Sequence, residues 1–129
     1  MVPDSPFLDR PREEWVASNA LAFAIRDAFP VSPGHTLVVP RRLIGSWFET
    51  TAEERQALFD LVGEVRKQLD SGLAPPHGYN IGINVAEAAG QTVPHVHVHV
   101  IPRYRGDVLD PRGGVRHVIP GKGNYLAGK

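Results

Sequence analysis

Apolar residues and histidines alternate strictly along His95-Val96-His97-Val98-His99-Val100, between Pro94 and Pro102. β-branched residues at every second place favour a strand. His95, His97 and His99 would share one face of it, and Val96, Val98 and Val100 the other. The valine face is expected to enter the core, leaving the imidazoles facing outward. Period two recurs where Leu21, Phe23 and Ile25 alternate with alanines. With Trp15-Val16-Ala17 and a Ser18-Asn19 turn, this predicts a hairpin, although the alanine content also suits one short helix. His35–Val39, closed by Pro40, and Tyr79–Val85 predict two further strands, the first following a rigid turn over Phe29–Gly34.

The period changes between Ala52 and Leu69, where Leu58, Leu61, Val62, Val65 and Leu69 recur at helical spacing. This predicts one long helix stopped by Asp70-Ser71-Gly72, with Thr51 and Glu54 or Thr50 and Glu53 as capping box. Residues 1 to about 14, rich in proline and charge, are expected to form an arm that orders only on contact. Gly72–Gly78 reads as a surface loop carrying His77, and residues 104–129 as a tail. The whole reads as one α+β domain over residues 1–129, a mostly antiparallel sheet with one long helix.

Composition narrows the function. Fourteen basic residues balance fourteen acidic ones, so no broad electrostatic footprint for nucleic acid exists and phosphate binding must be local. The chain has no cysteine, which excludes disulfides, thiolate metal sites and cysteine nucleophiles and suits a reducing compartment. No segment reads as a signal peptide or membrane span, so neither a membrane nor nucleic acid is an expected partner, and the expected location is cytoplasmic.

Three of the six histidines fall within five residues, a clustering that folding does not require. They could decorate a half-exposed strand, bind a metal, or serve a nucleophile. At about 3.3 Å per residue, His95 and His99 lie roughly 13 Å apart, too far for all three to converge on one ion. A metal would need another ligand, for which His35 is the obvious candidate, and the expected number of bound metals is none. The third reading makes His97 the nucleophile, flanked by imidazoles that bind an anion. Gly90-Gln91-Thr92 precedes these histidines and offers close backbone approach and side-chain donors for a phosphate. Alone, Asp27 would read as a turn aspartate, His35 as structural and Asn84 as a strand-end cap.

His95-Val96-His97-Val98-His99-Val100-Ile101 resembles the motif of the histidine-triad (HIT) family. Ala89–Pro94 and Pro102-Arg103 resemble its fragile-histidine-triad and diadenosine-polyphosphate hydrolase members. The resemblance runs from about Trp15 to Arg103, while Asp107–Arg116 resembles the carboxyl-terminal stretch of bacterial members. It implies a homodimer with joined sheets and one nucleotide site per subunit. It further implies attack by His97 on the α-phosphorus of a dinucleoside polyphosphate or nucleotide phosphoramidate, through a nucleotidyl-histidine intermediate. His95 and His99 would position the ring and stabilise phosphoryl oxygens, with His35 as their hydrogen-bonding partner. Asp27 would contact the ribose, Asn84 the substrate, and Ile25 and Leu37 the base. Arg112, Arg116 and Lys122 could reach distal phosphates. The nucleophile would need no cofactor, though Mg2+ could accompany a polyphosphate. A nucleotidyl transferase or phosphorylase, or a signalling module with incidental hydrolysis, are the alternatives.

Overall fold

The computed structural model describes residues 4–126 and 128. Five strands, β1 (Trp15–Ser18), β2 (Ala22–Arg26), β3 (Thr36–Pro40), β4 (Gly78–Ile83) and β5 (Val98–Arg103), form one sheet in the order β1-β2-β3-β5-β4. Every neighbouring pair is antiparallel. One helix, α1 (Ala52–Asp70), connects β3 to β4. The chain is thus α+β, with the expected hairpin over β1 and β2.

Helix α1 covers one face of the sheet. Leu58, Leu61 and Val65 pack with Val38, Val98 and Val100, and alanines at positions 22 and 24 let the helix approach β2 closely. Thr51, and not Thr50, caps it: Thr51 Oγ1 accepts from the Glu54 amide at 3.1 Å, and Glu54 Oε1 accepts from the Thr51 amide at 2.9 Å. Phe23, Ile25, Leu37 and Val39 point to the opposite face and pack with Phe7. Residues 22–25 are therefore buried on both sides, which their simple alternation did not foretell.

Gly34, in the turn before β3, has φ +88°, and a Cβ there would come within 2.9 Å of Leu69. The left-handed backbone favours glycine there, and a larger residue would also have to displace the tip of the Leu69 side chain.

Two expectations need correction. Strand β5 begins at Val98, not His95, and the imidazoles do not line up on an outward face. His95 is fully buried. The Val96 amide bonds Ile44 O at 2.9 Å, away from any sheet ladder, so the chain enters β5 from a different direction. Val96, Val98 and Val100 are buried as expected. Nor do residues 4–14 form a loose arm: Ser5 and Phe7 are buried, and Arg12–Glu14 makes a 3-10 turn into β1. Residues 1–3 lie outside the described residues.

Candidate active site

His97 stands at the mouth of β5, half-buried, with its ring edge-on to Phe7 at 4.8 Å between centroids. Its Nδ1 lies 2.9 Å from the carbonyl oxygen of His95. A carbonyl only accepts, so Nδ1 carries the proton and Nε2 keeps a free lone pair.

His99 follows inside β5, paired with Leu37 of β3 in the sheet register. Its Nδ1 lies 2.9 Å from His35 Nε2. On the other side of the His35 ring, Nδ1 accepts from the Val31 amide at 3.1 Å, which puts the His35 proton on Nε2. That proton faces His99 Nδ1, with Asp27 Oδ2 at 3.3 Å beside it. His99 Nδ1 is therefore an acceptor, and in the neutral ring the proton sits on Nε2. His97 offers a lone pair while His99, with ring centroids 5.0 Å apart, offers an N–H.

Burial favours the neutral form of the His35, His95 and His99 rings. It lowers the His99 pKa to about 4, with the neighbouring His97 and His35 rings acting in the same direction and Asp27 opposing. His35 is lowered by burial, partly offset by Asp27. His95 is lowered by burial, against the opposing hydrogen bond to Pro40.

A cavity of about 440 Å³ opens over His97 and His99, within the range of small-molecule sites. Asp27, His35, Leu37, Asn84, Gly90 and Thr92 border it. Asp27 closes the end of β2, and its Oδ1 accepts from the Phe29 amide at 2.8 Å. Gly90 ends the Glu87–Ala89 turn at φ +91°, a left-handed conformation that suits glycine.

Three residues expected at the site are placed otherwise. The donors of Gln91 face its own loop: Nε2 bonds Gly45 O at 2.7 Å and Val93 O at 3.1 Å, while Oε1 accepts from the Ala86 amide. Gln91 thus holds the loop in which Ala86 adopts φ 72°, instead of presenting a donor to a phosphate. Ile25 is fully buried in the Phe7 cluster and leaves Leu37 to border the cavity. His95 is enclosed between Ser5 and Pro40 and does not border it.

The tail cations also lie elsewhere. Arg112 pairs with Asp110 at 2.9 Å, Arg116 bonds Gly123 O and lies over the Tyr125 ring, and neither they nor Lys122 border the cavity.

Pro6, Phe7, Arg10, Phe29 and Val31 also line the cavity, with Ala28 and Val93. Of these, Pro6, Phe7 and Arg10 come from the supposed arm, whose lack of periodicity gave no signal. Arg10 is anchored through Nε to Glu14 at 2.7 Å and through Nη2 to Arg26 O at 3.2 Å.

Asp27, His35 and His99 bring one potential metal-ligand atom each within 4.8 Å of one another. The donor chemistry does not fit a cation. His35 Nδ1 already accepts from Val31 N–H, so binding a metal at Nε2 would leave the ring proton no position facing an acceptor. The trio suits a hydrogen-bond chain.

The model of the HIT domain matches residues 11–106. The chain belongs to the HIT family. A solved HIT family member from Bacillus subtilis superimposes with a TM-score of 0.72 at 32% identity, covering 81% of this chain and 77% of that one. The bifunctional bis(5'-adenosyl)-triphosphatase/adenylylsulfatase FHIT of Arabidopsis thaliana is 36% identical over 102 residues, 79% of this chain and 56% of that protein. The AP-4-A phosphorylase of Mycobacterium tuberculosis is 34% identical over 111 residues, 81% of this chain and 56% of that protein. This HIT chain thus spans little more than half the length of those two relatives.

Proposed function

We propose that this HIT protein is a nucleotide hydrolase that cleaves dinucleoside polyphosphates at the α-phosphorus through a nucleotidyl-His97 intermediate. The observation that carries the reading is the His97 Nδ1–H···O=C bond to His95, which leaves Nε2 as a lone pair at a cavity. In the first step that lone pair forms a nitrogen–phosphorus bond as the bond from phosphorus to the bridging oxygen breaks. The remaining nucleoside polyphosphate departs with the bonding electrons. The His95 carbonyl then supports the positive charge on the ring, and His99 Nε2–H can donate to a phosphoryl oxygen as its charge grows. In the second step water attacks phosphorus and releases a proton to solvent, the nitrogen–phosphorus bond breaks with its electrons returning to Nε2, and a nucleoside monophosphate leaves.

A polyphosphate leaving group departs as an anion. The amine of a phosphoramidate, also within the proposed substrate range, needs a proton, which Thr92, bordering the cavity, would relay. Asp27 is assigned to the ribose, Asn84 and Gly90 to the phosphates, and Leu37 to the base. His97 needs no metal, and Mg2+ would enter only with a polyphosphate substrate.

The proposed assembly is a homodimer. β4 ends the sheet with one edge unpaired within the chain, and an exposed edge strand is a liability that a second sheet can cover. Among the described residues no helix is long and apolar enough to cross a membrane. The cysteine-free composition suits the proposed cytoplasmic location.

The similarity to an AP-4-A phosphorylase supports a second reading, in which inorganic phosphate replaces water and the product is a nucleoside diphosphate. Incubating the protein with diadenosine tetraphosphate in 18O-water, with and without phosphate, separates the two. Hydrolysis gives a monophosphate carrying one 18O beside a nucleoside triphosphate, phosphorolysis gives an unlabelled diphosphate beside the triphosphate, and the absence of both outcomes refutes both readings.

A further inference from the structure

Ser5 is 1% exposed, and its hydroxyl lies 2.6 Å from His95 Nδ1 across 90 residues of sequence. The donor and acceptor in this buried pair follow from the opposite side of the ring. His95 Nε2 faces the carbonyl oxygen of Pro40 at 2.8 Å, which can only accept, so Nε2 carries the proton and Nδ1 does not. The Ser5 hydroxyl therefore donates to Nδ1, and its own oxygen accepts from the Phe7 amide at 3.2 Å. Two residues further on, the Phe7 ring packs against both His95 and His97.

His95 reaches the reaction through its backbone, because its carbonyl oxygen takes the proton of His97 Nδ1. The same peptide unit is held on its other side by the Val96 amide bonding Ile44 O. We infer that Ser5 is a positioning residue for the reaction: its hydroxyl fixes the tautomer and orientation of the buried His95 ring, and thereby the carbonyl that orients the attacking His97. Without the hydroxyl, Nδ1 is a buried acceptor with no partner. The ring can then turn over or exchange tautomers, and either change sacrifices the bond to Pro40. The inference rests on the nucleotidyl-histidine reading above. It gives the segment before β1 a role in chemistry as well as in covering the sheet.

The test uses the full chain, with Ser5→Ala and Ser5→Thr beside wild type. Steady-state hydrolysis of a diadenosine polyphosphate is measured together with 15N spectra of the imidazole nitrogens. Ser5→Ala should lower kcat by about tenfold to a hundredfold, the usual scale for disturbing a group that orients a reactive one, with KM changed much less. Its spectrum should show the His95 nitrogens moving away from a fixed Nε2–H tautomer and the His97 Nδ1 proton exchanging faster. Ser5→Thr, which keeps the hydroxyl, should recover most of the rate. A folded Ser5→Ala protein with wild-type kcat and unchanged ring spectra overturns the inference, as does a Ser5→Thr protein slowed as much as Ser5→Ala. If wild type cleaves no nucleotide, the hydrolase reading fails, and the ring spectra alone still decide whether Ser5 fixes His95 and His97.

Discussion

The imidazole of His97 donates from Nδ1 to the backbone oxygen of His95, 2.9 Å away, and this single bond determines which ring nitrogen keeps a free lone pair. The preceding histidine of the motif meets His97 through its main chain, while its side chain is enclosed. His99 is set in the complementary sense by His35. A lone pair and an N–H thus face one cavity from residues two apart.

Stability should fall in mild acid. His35, His95 and His99 are all held below the ordinary histidine value by burial, His99 to about 4. In the unfolded chain each titrates at about 6.5 and binds protons that the folded state refuses. Their contribution is therefore complete above about pH 6.5 and is lost as the pH falls through that value towards 4. Calorimetry from pH 8 to 4 should show Tm dropping over this window, with a shallower drop for His99→Gln. A flat Tm would contradict the burial argument.

Asp27→Ala should weaken recognition of the ribose. Losing hydrogen bonds to a charged acceptor costs roughly 1.5–3 kcal/mol, about tenfold to a hundredfold in affinity or rate. The loss should be larger for ribonucleotides than for 2′,3′-dideoxynucleotides, which lack both hydroxyls. Since Asp27 also bonds the Phe29 amide and approaches His35, equal losses for the two substrates would assign it to the turn and the histidine chain.

Much of the fold was legible because its signals are local. The valines of β5, the apolar stripe of α1 and the Pro33-Gly34 turn each specify their own conformation. The candidate site was legible in so far as His97, His99, His35 and Asp27, which periodicity or resemblance marks, come together around one cavity. It was not legible where the signal is tertiary. Nothing near Ser5 or Phe7 indicates a partner 90 residues away, and nothing in Gln91 shows that Gly45 and Val93 take its donors. The alternation over 95–99 suggested one continuous strand, yet the amide of Val96 turns to Ile44 and sends His95 inward. Period two describes which residues alternate, and the partners of the backbone decide where a strand begins.

Chelation should leave cleavage of a nucleotide phosphoramidate unchanged. Asp27, His35 and His99 form a close trio, but the Val31 amide occupies the His35 nitrogen that would have to hold the proton in a metal complex. Stoichiometric zinc in the purified protein, with activity lost on its removal and restored on its return, would contradict this.

Val98→Ala should destabilise the fold more than His97→Ala. Val98 is fully enclosed beneath α1, and trimming a buried aliphatic side chain typically costs about 1–3 kcal/mol. The half-exposed His97 ring carries less packing. Denaturant titrations of the two variants should rank them in that order, and the reverse order would place His97 in the core.

The most direct test is rapid quench of wild type and His97→Ala with a substrate labelled at the α-phosphorus. Wild type should form a covalent nucleotidyl adduct that is acid-labile and base-stable, as expected of a phosphorus–nitrogen bond to imidazole, and the label should map to His97. His97→Ala should bind nucleotide, form no adduct and lose turnover. Near-wild-type turnover in His97→Ala, or label on any other residue, would contradict the account.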